Sequence, residues 1–357
     1  MTAPLDLDEL SSRVGPPDDE AAEATRARLA TLATPLGSLG RLEELAAWLA
    51  AAQGQCPPRD PERARVVVFA GDHGVAAAGV SAYPPEATAR LVELVLRGGA
   101  AVTVLAGAAG ATVRVADLGV AADTPAEASG HKVRRGSGRI DRADALTLAE
   151  AERAFSAGAT IADAEVDAGA DLLIPGHLGV GATTVAAVLV AAVTETEPVK
   201  VIGRGSGIDD RAWMRKVVAI RDGLRRARPH VADPIALLAV AGGADVAAMS
   251  GFLVQAAVRR TPVLLDGVMP AAAALVASAV APAAPAWWLA AHRSAEPAHA
   301  VALKDLNLEP VLDLGIRAAE GAGALTMLPL LRAAVRACAE TDTAEAAGVT
   351  RVAPTPT

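Results

Sequence analysis

The sequence predicts an α/β fold: a mostly parallel, doubly wound sheet with helices on both faces, plus a smaller helical domain made from the two chain ends. Three observations lead there. The 357 residues exceed the usual size of one hydrophobic core. The 52% apolar content comes mainly from Ala, Val and Leu, with 2% aromatics, which suits helices packed closely on a sheet. Five short Val-rich runs end in Gly or Asp and lead into helical segments, the pattern of a sheet buried on both faces.

In chain order, residues 18–53 read as helix, with a Thr34-Pro35-Leu36-Gly37 turn dividing two amphipathic stretches. Leu39, Leu42, Leu45 and Leu49 mark the apolar face of the second. The expected strands are VVVFAGD at 66–72, TVRVADLG at 112–119, DLLIPG at 171–176, VKVIGRG at 199–205 and TPVLLDG at 261–267. The polar segment 121–148 reads as a long loop. Val268 to Ala291 is membrane-like in composition, but Pro270, Pro282 and Pro285 interrupt it, so a buried helix followed by a Pro-rich loop is expected. Helix returns after Leu325, and 351–357 reads as a disordered tail. The resulting division is a small helical domain from 1–60 and 326–350 and a large α/β catalytic domain over 61–325.

Composition narrows the function. A net charge of −8 without an aromatic-interleaved basic patch argues against a nucleic-acid partner. Arg221, Arg225, Arg226 and Arg228 read as a solvated helix face. Cys56 and Cys338 form no CxxC pair, and both read as buried small hydrophobes in a reducing compartment. The acidic N-terminal segment lacks the pattern of a signal peptide, so the expectation is a cytoplasmic protein with no membrane partner.

Chemistry is expected at the carboxyl ends of the strands, where doubly wound sheets bind ligands. The run Gly176-His177-Leu178-Gly179-Val180-Gly181-Ala182-Thr183-Thr184 joins a strand to a helix. Its glycines let backbone N–H groups approach an anion at the positive end of the helix dipole. Ala182 stands where a triphosphate-binding loop needs lysine, which disfavours ATP. The plainer alternative is a tight turn with Thr183 as a helix cap. A second glycine run, 203–210, follows the next expected strand, and two such loops suggest one shared oxyanion pocket. Lys216 reads either as the point charge for a monophosphate or as a surface lysine. Asp72, beside His73 at the end of the first strand, would orient a loop or a substrate hydroxyl, and no metal-ligand spacing is present locally. Glu320 precedes a Gly-Ala-Gly turn in an apolar setting. Desolvation there would raise its pKa, as suits a general base, and the alternative is a simple N-terminal helix charge.

Together these segments resemble the nicotinate-nucleotide:dimethylbenzimidazole phosphoribosyltransferases. The resemblance runs from PLGSLGRLEELA at 35–46 through FAGDHGVAAAGVSAYP at 69–84, GRGSGIDD, GGADVAAMSGFLVQAA, PVLLDG and HRSAEP to EGAGAL. It implies a homodimer with a Rossmann-like large domain. It also implies synthesis of α-ribazole 5′-phosphate from nicotinate mononucleotide and 5,6-dimethylbenzimidazole in cobalamin biosynthesis, without metal or other cofactor. The catalytic-base position falls on Glu320. The resemblance places the phosphate at Gly176, His177, Gly179, Gly181, Gly205 and Lys216, with Ser294 of HRSAEP also on the substrate. Ser81, Tyr83 and Leu178 would lie near the aromatic base. Family members usually read GEMGIGNTT or GDMGIGNTT where this chain reads GHLGVGATT, and many carry glutamine at the place of Pro85. A non-catalytic or altered-specificity paralogue binding a nucleotide or benzimidazole is the alternative that His177 and Ala182 suggest.

Overall fold

The computed structural model describes residues 5–350. Five strands, β1 (Ala64–Gly71), β2 (Thr112–Gly119), β3 (Leu172–Leu178), β4 (Val263–Asp266) and β5 (Trp288–His292), form one sheet. Their order is β2-β1-β3-β4-β5, with every neighbouring pair parallel. This is a doubly wound order whose topological switch point lies between β1 and β3.

Alternate strand residues enter opposite layers. Val67, Phe69, Leu173 and Leu265 join one core cluster, while Val66, Val68, Ile174 and Leu264 join the other. Both faces are buried, which is why the strands read as unbroken apolar runs. Each large aliphatic or aromatic side chain so buried contributes roughly 1.5–3 kcal/mol.

The first layer contains the helices Leu148–Asp167, Ala182–Val193, Ala244–Val258 and Val268–Val280. Thr147 and Glu150 start the first with a reciprocal capping box. The helix Ala244–Val258 is buried around its whole circumference, and its apolar sequence fits that place. It crosses Leu148–Asp167 in backbone contact. A Cβ on Gly158 would lie 1.7 Å from the Ala248 carbonyl oxygen, and one on Gly251 would lie 2.0 Å from that of Phe155.

The second layer holds Asp19–Thr31, Arg41–Gln53, Ala87–Leu96, Ala101–Ala108 and Ala322–Glu340. The chain ends meet here. Arg28 donates from Nε and Nη2 to the carbonyls of Cys338 and Ala339, at 2.7 and 2.8 Å. A guanidinium thus satisfies acceptors at the negative end of the helix Ala322–Glu340.

Two element expectations are corrected. The segment 199–205 forms no strand; a 3-10 turn, Pro198–Lys200, leads into irregular chain. The fifth strand is instead Trp288–His292, inside the stretch expected to be a Pro-rich loop. Pro285 starts a single 3-10 turn, Ala284–Trp287, which aims the following residues along β4. The helix expected at the start of that stretch is present and buried as Val268–Val280, with Pro270 in its tolerant first turn. Cys338 is buried, but Cys56 is exposed because it lies beyond the helix Arg41–Gln53 on the way to β1. Arg221, Arg225 and Arg228 are exposed on the helix Asp210–Ala227 and the turn after it. The tail 351–357 lies outside the described residues.

Candidate active site

A cavity of about 390 Å³ opens at the carboxyl ends of the strands. Ser81, Tyr83, Gly205, Ser294 and Glu320 lie on its wall, together with His177, Leu178, Gly179 and Gly181 from the end of β3. Gly176, Lys216 and Asp72 stand behind that wall. Larger surface clefts of about 1040 and 960 Å³ lie elsewhere, one beside the amino ends of β3 and β4 and the other beside β5. Neither carries the glycine loops.

The switch point shapes the floor. The loop after β3 touches the end of β1 so closely that a Cβ on Gly179 would lie 2.1 Å from the Gly71 oxygen. Gly181 takes φ +92° and caps the helix Ala182–Val193 without any side-chain acceptor. The Ala182 and Thr183 N–H groups are therefore available to an anion, while that of Thr184 donates to the Gly181 carbonyl at 3.0 Å. Asp72 supports this loop from behind. Its carboxylate accepts from Thr88 Oγ1 at 2.5 Å and from the Ala121 N–H, while Thr88 Oγ1 accepts from the Val180 N–H at 3.2 Å.

The second glycine loop arrives from irregular chain rather than from a strand, yet it reaches the same cavity. Lys216 is fully buried beneath it, not on the surface. Its Nζ donates to Thr183 Oγ1 at 2.8 Å and to the Gly203 carbonyl at 3.1 Å. Burial lowers the Lys216 pKa to about 8, against an opposing pull from Glu296. Glu296 Oε1 accepts from the Gly205 N–H at 2.8 Å. Gly205 has φ +50°, and a Cβ there would lie 2.6 Å from Thr183 Oγ1, so only glycine fits. Across the cavity mouth Ser206 Oγ accepts from the Ala82 N–H and lies 3.2 Å from Ser81 Oγ.

Glu320 is held by its backbone rather than by its carboxylate. Asp266, ending β4, accepts from the Gly323 N–H at 2.7 Å, which fixes the turn opening the helix Ala322–Glu340. His292, ending β5, accepts at Nε2 from the N–H groups of Leu314 and Ile316. A Cβ on Gly176 would lie 2.3 Å from the Glu320 oxygen, so the Glu320 backbone rests directly on β3. Desolvation alone pushes the Glu320 carboxyl above its ordinary range. Such a group is suited to accept a proton near neutrality.

Behind His177 the fold assembles a cluster that sequence spacing does not show. Asp245 Oδ2 lies 2.6 Å from His177 Nε2 and 3.0 Å from His73 Nε2, all three side chains being buried. Burial alone would raise the Asp245 carboxyl, but the two imidazoles hold it far below the carboxylate range. Burial lowers His177 despite Asp245. It acts the same way on His73, where Asp245 and Asp72 prevail and the net shift is upward. His73 had no further ligand nearby in sequence; in space the three donor atoms lie within 4.8 Å of one another.

Asp245, Glu296, Asp266 and His292 were not singled out as site residues from the sequence, and Thr183 was read only as a helix cap, a place that Gly181 takes. A carboxylate inside the otherwise apolar segments GGADVAAMSG and PVLLDG was the available signal, because burying it requires a partner. Glu296 gave none beyond its place in HRSAEP.

A doubly wound sheet, a helix N-terminus without a side-chain cap at its switch point and, on the same cavity, a desolvated carboxylate without an ion pair among the described residues are the features of an α/β enzyme with its site at the strand ends. A family model described as phosphoribosyltransferase matches residues 14–349. The chain is 63% identical over 337 residues to the nicotinate-nucleotide–dimethylbenzimidazole phosphoribosyltransferase of Mycobacterium avium, covering 94% of this chain and 97% of that one. It is 59% identical to the enzyme of the same name from Mycobacterium tuberculosis, covering 94% and 93%. CobT from Thermus thermophilus superposes with a TM-score of 0.89 at 40% identity, covering 93% of this chain and all of that one. The chain belongs to the nicotinate-nucleotide–dimethylbenzimidazole phosphoribosyltransferase family.

Proposed function

We propose that this protein transfers the phosphoribosyl group of nicotinate mononucleotide to 5,6-dimethylbenzimidazole or a related base, releasing nicotinate and α-ribazole 5′-phosphate. The names of its relatives supply the substrates. The observation that carries the reading is Glu320, a desolvated carboxylate without an ion-pair partner among the described residues, standing beside the glycine loop.

In this reading the phosphate meets the N–H groups after Gly181, with Lys216 and Gly205 behind it. Ser294 lies at the same end, and Ser81, Tyr83 and Leu178 flank the acceptor base. One ring nitrogen of the base attacks C1′ of the ribose as the bond to the pyridinium nitrogen breaks, its electron pair staying with nicotinate. Attack on the opposite face inverts β to α. Glu320 takes the proton from the other ring nitrogen. Nicotinate leaves as a neutralised pyridinium, so its departure needs no general acid.

The reading extends to a cytoplasmic homodimer with a helical part from 1–60 and 326–350 and a larger part from 61–325. Packing of Asp19–Thr31 and Arg41–Gln53 on Ala322–Glu340 supports the division. Val104, 65% exposed on an apolar helix, supports an interface there. Sedimentation would check the dimer. Purified protein given both substrates should release nicotinate stoichiometrically with the new nucleotide. Binding without turnover of any benzimidazole or purine acceptor would instead favour a non-catalytic paralogue.

A further inference from the structure

His177 presents two different nitrogens to two different surroundings. Nε2 meets Asp245 Oδ2 at 2.6 Å in a buried contact. An ionised carboxylate only accepts, so Nε2 carries the hydrogen and a neutral ring leaves its lone pair on Nδ1. Nδ1 has no hydrogen-bond partner among the described residues, whereas His177 is one of the residues that line the cavity, two positions before Gly179. An unpartnered acceptor beside a cavity is satisfied by a donor on whatever fills it.

We propose that His177 Nδ1 accepts a hydrogen bond from a ribose hydroxyl of the nucleotide, and that Asp245 and His73 are positioning residues that hold His177 in the tautomer able to do so. The chemistry fits the place. With the phosphate on the glycine loop, the sugar would lie in the cavity that His177 and Glu320 both line. Glu320 serves the acceptor base, so the two groups have separate tasks on one wall. His73 shares the carboxylate of Asp245, and a proton on His73 balances its charge without using His177. Among the described residues the titratable groups acting on His177 are Asp245 on the helix Ala244–Val258 and His73 after β1, with Asp72 beside His73, and Glu320 lines the same cavity.

This inference rests on the phosphoribosyl-transfer reading, and substrate analogues separate the two. Nicotinate mononucleotide and its 2′-deoxy and 3′-deoxy forms would be compared in the wild type, His177→Ala and Asp245→Asn, with melting curves to confirm folding. The wild type should prefer the full ribose over one deoxy form by about tenfold or more in kcat/KM, the scale of one lost hydrogen bond. His177→Ala should bring that ratio close to one, whereas Asp245→Asn should change its size, because an amide at 245 can donate to Nε2 and turn Nδ1 into a donor, so that the hydroxyl must accept instead of donate. Any loss of activity in acid that comes from protonating His177 should be missing in His177→Ala, while that of Glu320 stays. An unchanged ribose preference in folded variants overturns the proposal and leaves the reaction intact. So does a stoichiometric metal ion held by His73, His177 and Asp245, since it would occupy the nitrogen lone pairs. Absence of turnover by the wild type with any acceptor overturns the broader reading instead.

Discussion

Lys216 Nζ lies 2.8 Å from Thr183 Oγ1, joining the first turn of the helix after β3 to the second glycine loop. The two glycine loops are therefore tied together through one buried ammonium. Its charge is available only while the lysine stays protonated.

That dependence sets an alkaline limit. With a pKa of about 8 in the free protein, Lys216 loses its proton as pH rises through 8, and nucleotide affinity should fall with it. Glu296 raises the Lys216 pKa, so Glu296→Gln should move the limb to lower pH. Initial rates at subsaturating nucleotide across pH 6–10 check this. The stability sign is opposite: between about 8 and 10.5 the unfolded chain binds more protons at this lysine, so the wild type gains stability relative to Lys216→Met as pH rises. Melting temperatures of the two proteins over that window should converge.

Glu320→Gln should lower kcat by about 10²- to 10⁴-fold with little change in nucleotide affinity. The wild type should lose activity as pH falls through a value above the ordinary carboxylate range, and this limb should be missing in the variant. Burial raises the folded pKa, so this residue's contribution to stability is fully present below its unfolded pKa and is lost as pH rises through the folded one. At neutral pH Glu320→Gln should therefore melt higher than the wild type, and the difference should close in acid. Equal melting temperatures at neutrality would contradict the desolvated setting.

Gly176→Ala tests how firmly Glu320 is placed. The added methyl would stand 2.3 Å from the Glu320 oxygen and 2.5 Å from its carbonyl carbon, both backbone atoms that cannot rotate aside. Displacing the turn should cost on the order of 10²-fold in kcat, the effect of a misplacement near 1 Å. Overpacking adds about 1–3 kcal/mol of destabilisation. Steady-state kinetics and denaturant titration read the two effects separately.

Gly158→Ala should be severely destabilising, because its methyl would lie 1.7 Å from the Ala248 carbonyl oxygen and force two buried helices apart. Denaturant midpoints should fall well below those of Gly107→Ala, where the added methyl meets nothing within 4 Å.

The periodicity that revealed four strands also misplaced the fifth. Val199, Val201 and Ile202 follow a strand-like pattern, yet strand formation depends on a neighbouring edge, and β4 pairs with Trp288–His292 instead. The glycine loops and Glu320 were legible because turns, helix starts and isolated carboxylates leave local marks. Asp245 was not, since its meaning depends on His177, 68 residues away, and on His73, brought beside it only by the switch point. Glu296 was hidden for the same reason: Gly205, its partner, comes from a distant loop.

The paired glycines Gly158 and Gly251 have a consequence for adaptability. Helices locked backbone to backbone cannot drift by small steps, so the helix that carries Asp245 is a poor place for gradual change. The opposite rim, where Tyr83 is 57% exposed and Ser81 meets Ser206, has no such lock. Libraries randomised over 81–85 should yield folded enzymes with altered acceptor preference, while libraries over 155–158 and 248–251 should yield mainly chains that do not fold. The molecule thus separates an inheritable frame from a margin open to variation.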